Sequence, residues 1–334
     1  MLYRFKRALS SAVLIISLAV GIASTPLLQS SASANAAINE FATSSQTSSP
    51  FDITRGPDGA MWFTEFAAGK IGRITNSGSL TEYDLPTANA YPCGIVVGSD
   101  GALWFAENSV AQIGRITTGG QVTEYALPAT DRAPAFLSPG PDGSVWFTEP
   151  NNHQIGRIAM DGTVTEYPVA TETALPNDIT AGADGNMWFT LEDAGKIGKI
   201  SMTGTVTEYD LPNSNSMPAS IISGPDDAIW FTELGSATIG RMDTSDGSLT
   251  EFALPNQSSL PYGLTVGADG AIWFTDNLAG QSQVGRITVD GTISSYPIDN
   301  ADATILRIAL GADNSLWLTQ NSVGSILQLD PSLL

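Results

Sequence analysis

Cysteine, histidine and basic residues are all scarce in this 334-residue chain. The single cysteine, Cys93, has no partner for an intramolecular disulfide, so the fold must be held by packing alone. Lysine and arginine number 14 against 34 aspartates and glutamates. Such an acidic surface repels phosphate backbones and anionic lipid heads, which excludes nucleic acid and a membrane face as expected partners and suits neutral or cationic ligands. Charged residues are only 14% and hydrophobic residues 42%, so the body can bury a core and is not disordered. Long apolar runs are also missing, apart from Ala8 to Ala23. That run follows Arg4, Lys6 and Arg7 and precedes the small-residue site Ala34-Asn35-Ala36, the pattern of a secretory leader. It falls short of the roughly 20 residues a spanning helix needs. The expectation is a leader over residues 1–36, a mature start near Ala37, a secreted protein with no membrane insertion after cleavage, and one domain over 37–334.

What the sequence has instead is a repeat. Trp62, Trp104, Trp146, Trp188, Trp230, Trp273 and Trp317 are separated by 42, 42, 42, 42, 43 and 44 residues. Around each, the same phrases return, as in Gly101-Ala102-Leu103-Trp104-Phe105, Ile113-Gly114-Arg115-Ile116 and Val122-Thr123-Glu124-Tyr125. Four short β-type runs per unit, divided by Gly, Pro and Asp turns, predict an all-β fold: a seven-bladed β-propeller with four antiparallel strands per blade. Seven equivalent aromatics read as a packing layer between blades rather than a ligand cage.

The turns set expectations for register. Asp161-Gly162 and Asp290-Gly291 have the composition of two-residue type I′ turns between the third and fourth strands. Counting outward from Asp161-Gly162 places Arg157 opposite Glu166, and the same count pairs Arg73 with Glu82, Arg115 with Glu124 and Lys199 with Glu208. The last unit ends after a third strand at Ile326-Leu327-Gln328-Leu329, while Ile38-Asn39-Glu40-Phe41 matches a fourth. The N-terminal strand is therefore expected to complete the seventh blade and remove the open edge.

Two rings of residues are expected around the mouth of the central channel. At the start of the innermost strands stand Phe51, Cys93, Ala135, Asn177, Ala219, Tyr262 and Leu306. This ring varies while the scaffold repeats, which marks Phe51, Cys93, Asn177 and Tyr262 as candidate ligand-facing residues. At the ends of the second strands stand Glu65, Glu107, Glu149, Leu191, Glu233, Asp276 and Gln320. Clustered carboxylates bind hard cations and raise one another's pKa, so Glu65, Glu107, Glu149, Glu233 and Asp276 are candidate metal ligands. The alternative is a solvated rim, or carboxylates that cap loop amides. His153, Glu233 and Tyr262 are the candidate catalytic groups. A Cys93 and His153 nucleophile pair is a further option that the spacing does not demand, and a buried, inert thiol is the alternative.

The Trp-Phe-Thr-Glu, Ile-Gly-Arg-Ile and Thr-Glu-Tyr phrases, with Leu-Pro and a Pro-X-Gly-Ile strand start, resemble the streptogramin B (virginiamycin B) lyases from Ile38 to Leu329. The resemblance implies a seven-bladed propeller that opens a cyclic depsipeptide antibiotic by elimination across its ester bond, with Mg²⁺ and a general base, and hence a part in antibiotic resistance. It places the family's tyrosine at Phe51, its two histidines at Tyr262 and Leu306, and its glutamates at Thr304 and near Gln320. None of these side chains is a proton acceptor at neutral pH in its ordinary state. Three readings stand open: a monomeric binding propeller taking a small-molecule, peptide or glycan ligand at the channel mouth; an active lyase or a hydrolase with a relocated site; and a structural repeat protein.

Overall fold

The computed structural model describes residues 38–278, 281–298 and 303–334; the expected leader and the start near Ala37 lie outside the described residues. The described residues form 28 strands in seven four-stranded sheets, the all-β propeller the repeat predicts. In the first blade the strands are β2 (Pro50–Arg55), β3 (Met61–Glu65), β4 (Lys70–Ile74) and β5 (Leu80–Asp84), each antiparallel to the next. The last blade consists of β26 (Ile305–Leu310), β27 (Leu316–Gln320), β28 (Ser325–Leu329) and, from the other end of the chain, β1 (Ile38–Ala42). Ile38 pairs with Leu329 and Ala42 with Ser325, so the N-terminal strand closes the ring as expected.

The recurring motif is explained residue by residue. Alternation sends Trp62 to one face of its sheet and Phe63 to the other. Trp62 packs with Leu103, Phe105 and Ile116 of the second blade, while Phe63 packs with Trp317 and Ile326 of the seventh. Each blade thus offers its Trp face to the next blade's Phe face. Phe63 lies flat over Gly72, where a Cβ would sit 2.1 Å from the ring, so the glycine of Ile-Gly-Arg-Ile is the floor the aromatic requires. Trp62 and Phe63 are fully buried, and truncating such a side chain typically costs about 3–5 kcal/mol.

The arginines are placed differently from expectation. Gly162 has φ +88° and Asp161 is not in the left-handed region. The Gly162 N–H donates to the Ala159 carbonyl. This is a type I turn followed by a left-handed glycine, not a type I′ turn, and it moves the register by one residue. Arg157 therefore faces Thr165, and Glu166 faces Gly156; likewise Arg73 faces Thr81 and Arg115 faces Thr123. The guanidinium turns instead to the first hairpin: Arg73 Nε donates to Asp58 Oδ2 at 2.7 Å, and Asp58 Oδ1 accepts the Trp62 indole N–H at 3.1 Å. Burial pushes the Asp58 carboxyl up, but the Trp62 and Arg73 hydrogen bonds outweigh it and hold the group below its ordinary range. The same hub recurs at Asp100, Asp142, Asp184, Asp226 and Asp269. The displaced glutamates anchor the loops that enter each blade, as Glu82 does for Ser44, Glu124 for Thr87 and Glu208 for Thr171.

Closure generates a first prediction. Removing residues 37 to 44 strips β1 from β28 and removes Phe41, which stacks on Trp317 at 5.8 Å. The truncated protein should melt well below a control cut at residue 36, and equal melting temperatures would refute the closure.

Candidate binding site at the channel mouth

The innermost strands carry a bulge where they reach the channel. In β2 the register shifts between Pro50 and Ile53, so that Phe51 and Asp52 together oppose Thr64. The bulge removes the strand partner of the Asp52 N–H, and the Thr64 hydroxyl accepts it at 3.0 Å. The same hydroxyl donates to the carbonyl of Cys93 in the next blade at 2.6 Å. Thr148, Thr190, Thr232 and Thr275 repeat the link to Asn177, Ala219, Tyr262 and Leu306, and Thr319 completes the circle on Phe51. These threonines fix the residue ring that the sequence singles out, carbonyl by carbonyl.

The ring side chains converge and close the mouth. Phe51, Cys93, Ala135, Ala219, Tyr262 and Leu306 are all buried in one cluster, with Asn177 half-buried beside it. Phe51 stacks on Phe136 at 5.7 Å and touches Phe66 at the same distance; Phe66 meets Tyr91, which is 36% exposed. Burial pushes the Cys93 thiol and the Tyr262 phenol well above their usual ranges, so neither offers an anion at neutral pH. The Cys93 thiol points to the Tyr91 carbonyl at 3.6 Å. His153 follows a short 3₁₀ turn, Pro150–Asn152, in a left-handed conformation, and its Nδ1 is held at 2.9 Å from the Ala174 carbonyl. It latches the loop that enters the fourth blade.

The second bulge residue of each strand forms a layer beneath this plug, which the sequence reading missed. Arg307, 7% exposed, reaches across the channel: its Nη1 donates to Asp178 at 2.7 Å and to Ser220 at 2.6 Å. Its guanidinium lies 4.0 Å from the Phe136 ring and 5.2 Å from the Tyr262 ring. Asp52 lies 3.9 Å from Nε. Burial drives the Asp52 carboxyl up to about 6, against the pull of Arg307. One side chain of the seventh blade thus touches the third, fourth, fifth and sixth. The signal was present in Phe51-Asp52-Ile53 and Leu306-Arg307-Ile308, where a charge interrupts an apolar run.

The acidic ring is not a solvated rim. Glu65, Glu107, Glu149, Glu233 and Asp276 are each buried, and among the described residues no group of three or more His, Cys, Asp or Glu side chains could hold a metal ion. Burial raises Glu65 and Glu233 to about 7 and Glu107 and Glu149 to about 8. Asp276 takes the capping role: it accepts from Ser259, the Leu260 N–H and Gln283. The positions at which the resemblance puts the family's supporting glutamates carry no carboxylate: the Thr304 N–H donates to Ser322, and Gln320 Oε1 accepts from Ser325 at 2.5 Å. These donors do not fit Mg²⁺.

Breaking a buried charge pair typically costs about 3–5 kcal/mol, because the remaining charge is left without a partner. Arg307→Met should therefore lower stability by about that amount in denaturant melts. Arg307→Met with Asp178→Asn should recover a large part of the loss, and additive effects would deny the coupling.

A sequence model described as the virginiamycin B lyase family matches residues 30–134 and 215–332. Three solved structures share 37% sequence identity with the chain. A selenomethionine-substituted virginiamycin B lyase from Staphylococcus aureus aligns with a TM-score of 0.82 over 87% of this chain and 98% of its own. A streptogramin B lyase aligns with 0.83 over 88% and 97%. A catalytically inactive histidine-to-alanine variant of the S. aureus virginiamycin B lyase, solved with quinupristin, aligns with 0.82 over 88% and 99%.

Proposed function

The chain belongs to the virginiamycin B lyase family, and on that footing we propose that it is a secreted propeller that binds a ligand at the channel mouth without the family's elimination chemistry. One observation carries the reading. The positions that the resemblance assigns to the acid and base groups hold Phe51, Tyr262 and Leu306, and these pack against one another as the apolar plug. A general base must expose a lone pair near the working pH. Phe51 and Leu306 have none, and the Tyr262 phenol is held protonated by burial. A relative is inactive when one histidine is exchanged for alanine. The one histidine here, His153, is engaged with a loop carbonyl. The ligand is a small molecule, peptide or glycan, neutral or cationic to suit the net charge of −20, and it meets the partly exposed aromatic edge of Phe66 and Tyr91.

Loss of general base assistance alone typically slows a reaction by about 10² to 10⁴ fold. Purified protein with Mg²⁺ at neutral pH should therefore leave a streptogramin B cyclic over times in which a family lyase opens it. Mass spectrometry separates the outcomes, since elimination leaves the mass unchanged and hydrolysis adds one water. Rapid opening by either route would overturn the reading and direct attention to Asp52→Asn and His153→Ala. Thermal-shift screens with cyclic depsipeptides, cationic peptides and glycans test the binding half, because a ligand that binds only the folded state raises the melting temperature. A hit should weaken in Tyr91→Ala.

A further inference from the structure

The seven blades repeat one buried acidic position, and comparing them isolates the second blade. In the first, Glu65 and Glu82 have Lys70, whose ammonium lies 3.2 Å from Glu82. In the third, Glu149 and Glu166 share Arg132, at 3.6 and 2.9 Å. In the fourth, Leu191 replaces the inner glutamate and Lys196 stands 3.6 Å from Glu208. In the fifth, Ser236 donates to Glu233, and the outer Glu251 is exposed. The sixth has Asp276 with three donors and a serine, Ser295, at the outer position. The seventh has the neutral Gln320. Among the described residues only the second brings together two carboxylates, both at least half-buried, with no cation: Glu107 Oε1 lies 2.7 Å from where a Cβ of Gly114 would sit, and Gly114 pairs across the hairpin with Glu124.

Glu107 is fully buried, and neither of its oxygens has a hydrogen-bond partner. The adjacent strand presents the uncharged Gln112, whose Oε1 is also buried without a partner, and the preceding blade packs Trp62, Ile71, Leu85 and Ala90 against this face. Glu124 accepts from the N–H and hydroxyl of Thr87, at 3.0 and 2.7 Å. Thr87 begins the loop to Tyr91, whose other end is held by hydrogen bonds from the Asn108 and Ser109 N–H groups to the Tyr91 and Ala90 carbonyls. Asn89 and Tyr91 both have positive φ, so this loop keeps its shape only while it is held.

We propose that Glu107 and Glu124 share one proton at neutral pH, and that its release to solvent at alkaline pH drives Glu124 outward and frees the loop from Thr87 to Tyr91 at the channel mouth. Two ionised carboxylates in a buried site repel one another, and a proton between them is what Lys70 and Arg132 supply as charge elsewhere. Burial first, and Glu124 second, raise Glu107 to about 8 from an ordinary 4.5. The folded state therefore keeps a proton that the unfolded chain loses. The pair's contribution to stability is greatest below about pH 4.5, falls as pH rises to about 8, and is level above it.

The test is amide hydrogen exchange over residues 87–91 in the full chain and in Glu107→Gln, corrected for intrinsic rates, between pH 6 and 9.5. Wild-type protection should fall at least tenfold across pH 7 to 9, while Glu107→Gln keeps its protection throughout. If the variant does not fold, carbon-13 titration of the wild-type Glu107 carboxyl serves, with a midpoint near 8 expected. A midpoint in the ordinary carboxyl range, or equal loss of protection in both proteins, overturns the proposal. So does restoration of the loop at pH 9 by Ca²⁺ or Mg²⁺, which would make the pair a metal site.

Discussion

The geometry of this propeller rests on how a β-bulge is satisfied. A bulge at the channel end of an innermost strand turns two successive side chains toward the axis and strips one N–H of its ladder partner. Left bare, that buried donor costs about 1–3 kcal/mol. A threonine opposite the bulge supplies both halves of the answer, accepting from its own blade and donating to the next. The hydroxyl is therefore an element of blade structure and of ring assembly at once. The second blade, with Ala106 in that place, shows the substitute: Gly94 N–H donates directly to the Ala135 carbonyl at 2.8 Å.

Because the bulges come in register, their side chains form two layers, and the layers differ in kind. The outer one is apolar and closes the mouth. The inner one carries the charges of Asp52, Asp178 and Arg307 and braces the ring through Arg307, which ties the blade built from both chain ends to the blades opposite. A ring of seven units held only by nearest neighbours opens at its weakest joint. A guanidinium bonded across the channel couples distant joints, and the apolar cover keeps water from screening it. Plug and brace are mutually supporting, since Tyr262 of the plug and Phe136, packed in the same cluster, both lie against the guanidinium.

Fold, blade number and closure were legible in the sequence because they are periodic, and periodicity survives without any knowledge of contacts. The Trp spacing and the stray fourth strand at Ile38 to Phe41 were sufficient. Register within the outer hairpin was misread, because Asp-Gly composition does not distinguish a type I′ turn from a type I turn with a left-handed glycine, and one residue reverses which side chains meet. The ring of Phe51, Cys93, Tyr262 and Leu306 was legible as a position. Its closure was not, because whether seven side chains fill a channel depends on their summed volume across blades. The carboxylates were placed correctly at strand ends, while the choice among cation ligands, a solvated rim and caps for loop amides stayed open. Strand count gives the end of a strand, while the Trp62, Ile71, Leu85 and Ala90 side chains that cover the face of Glu107 come from the preceding blade and its exit loop.

The plug also constrains how activity could stand or fall in this family. A histidine at position 306 alone would enter a pocket walled by Phe51, Tyr262 and Cys93, with Arg307 as its chain neighbour. Burial and a nearby guanidinium both disfavour the imidazolium, so such a group would accept a proton poorly. A phenol at position 51 would need a partner that Phe66 and Phe136 cannot give. Acid, base and supporting carboxylates are useful only together, in an open and hydrated mouth, whereas the apolar residues stabilise one another only when the mouth is shut. Intermediate combinations have the burial cost of polar groups without their chemistry. The seven side chains at this ring therefore belong to one of two self-consistent sets, and a mixed set is the unstable case.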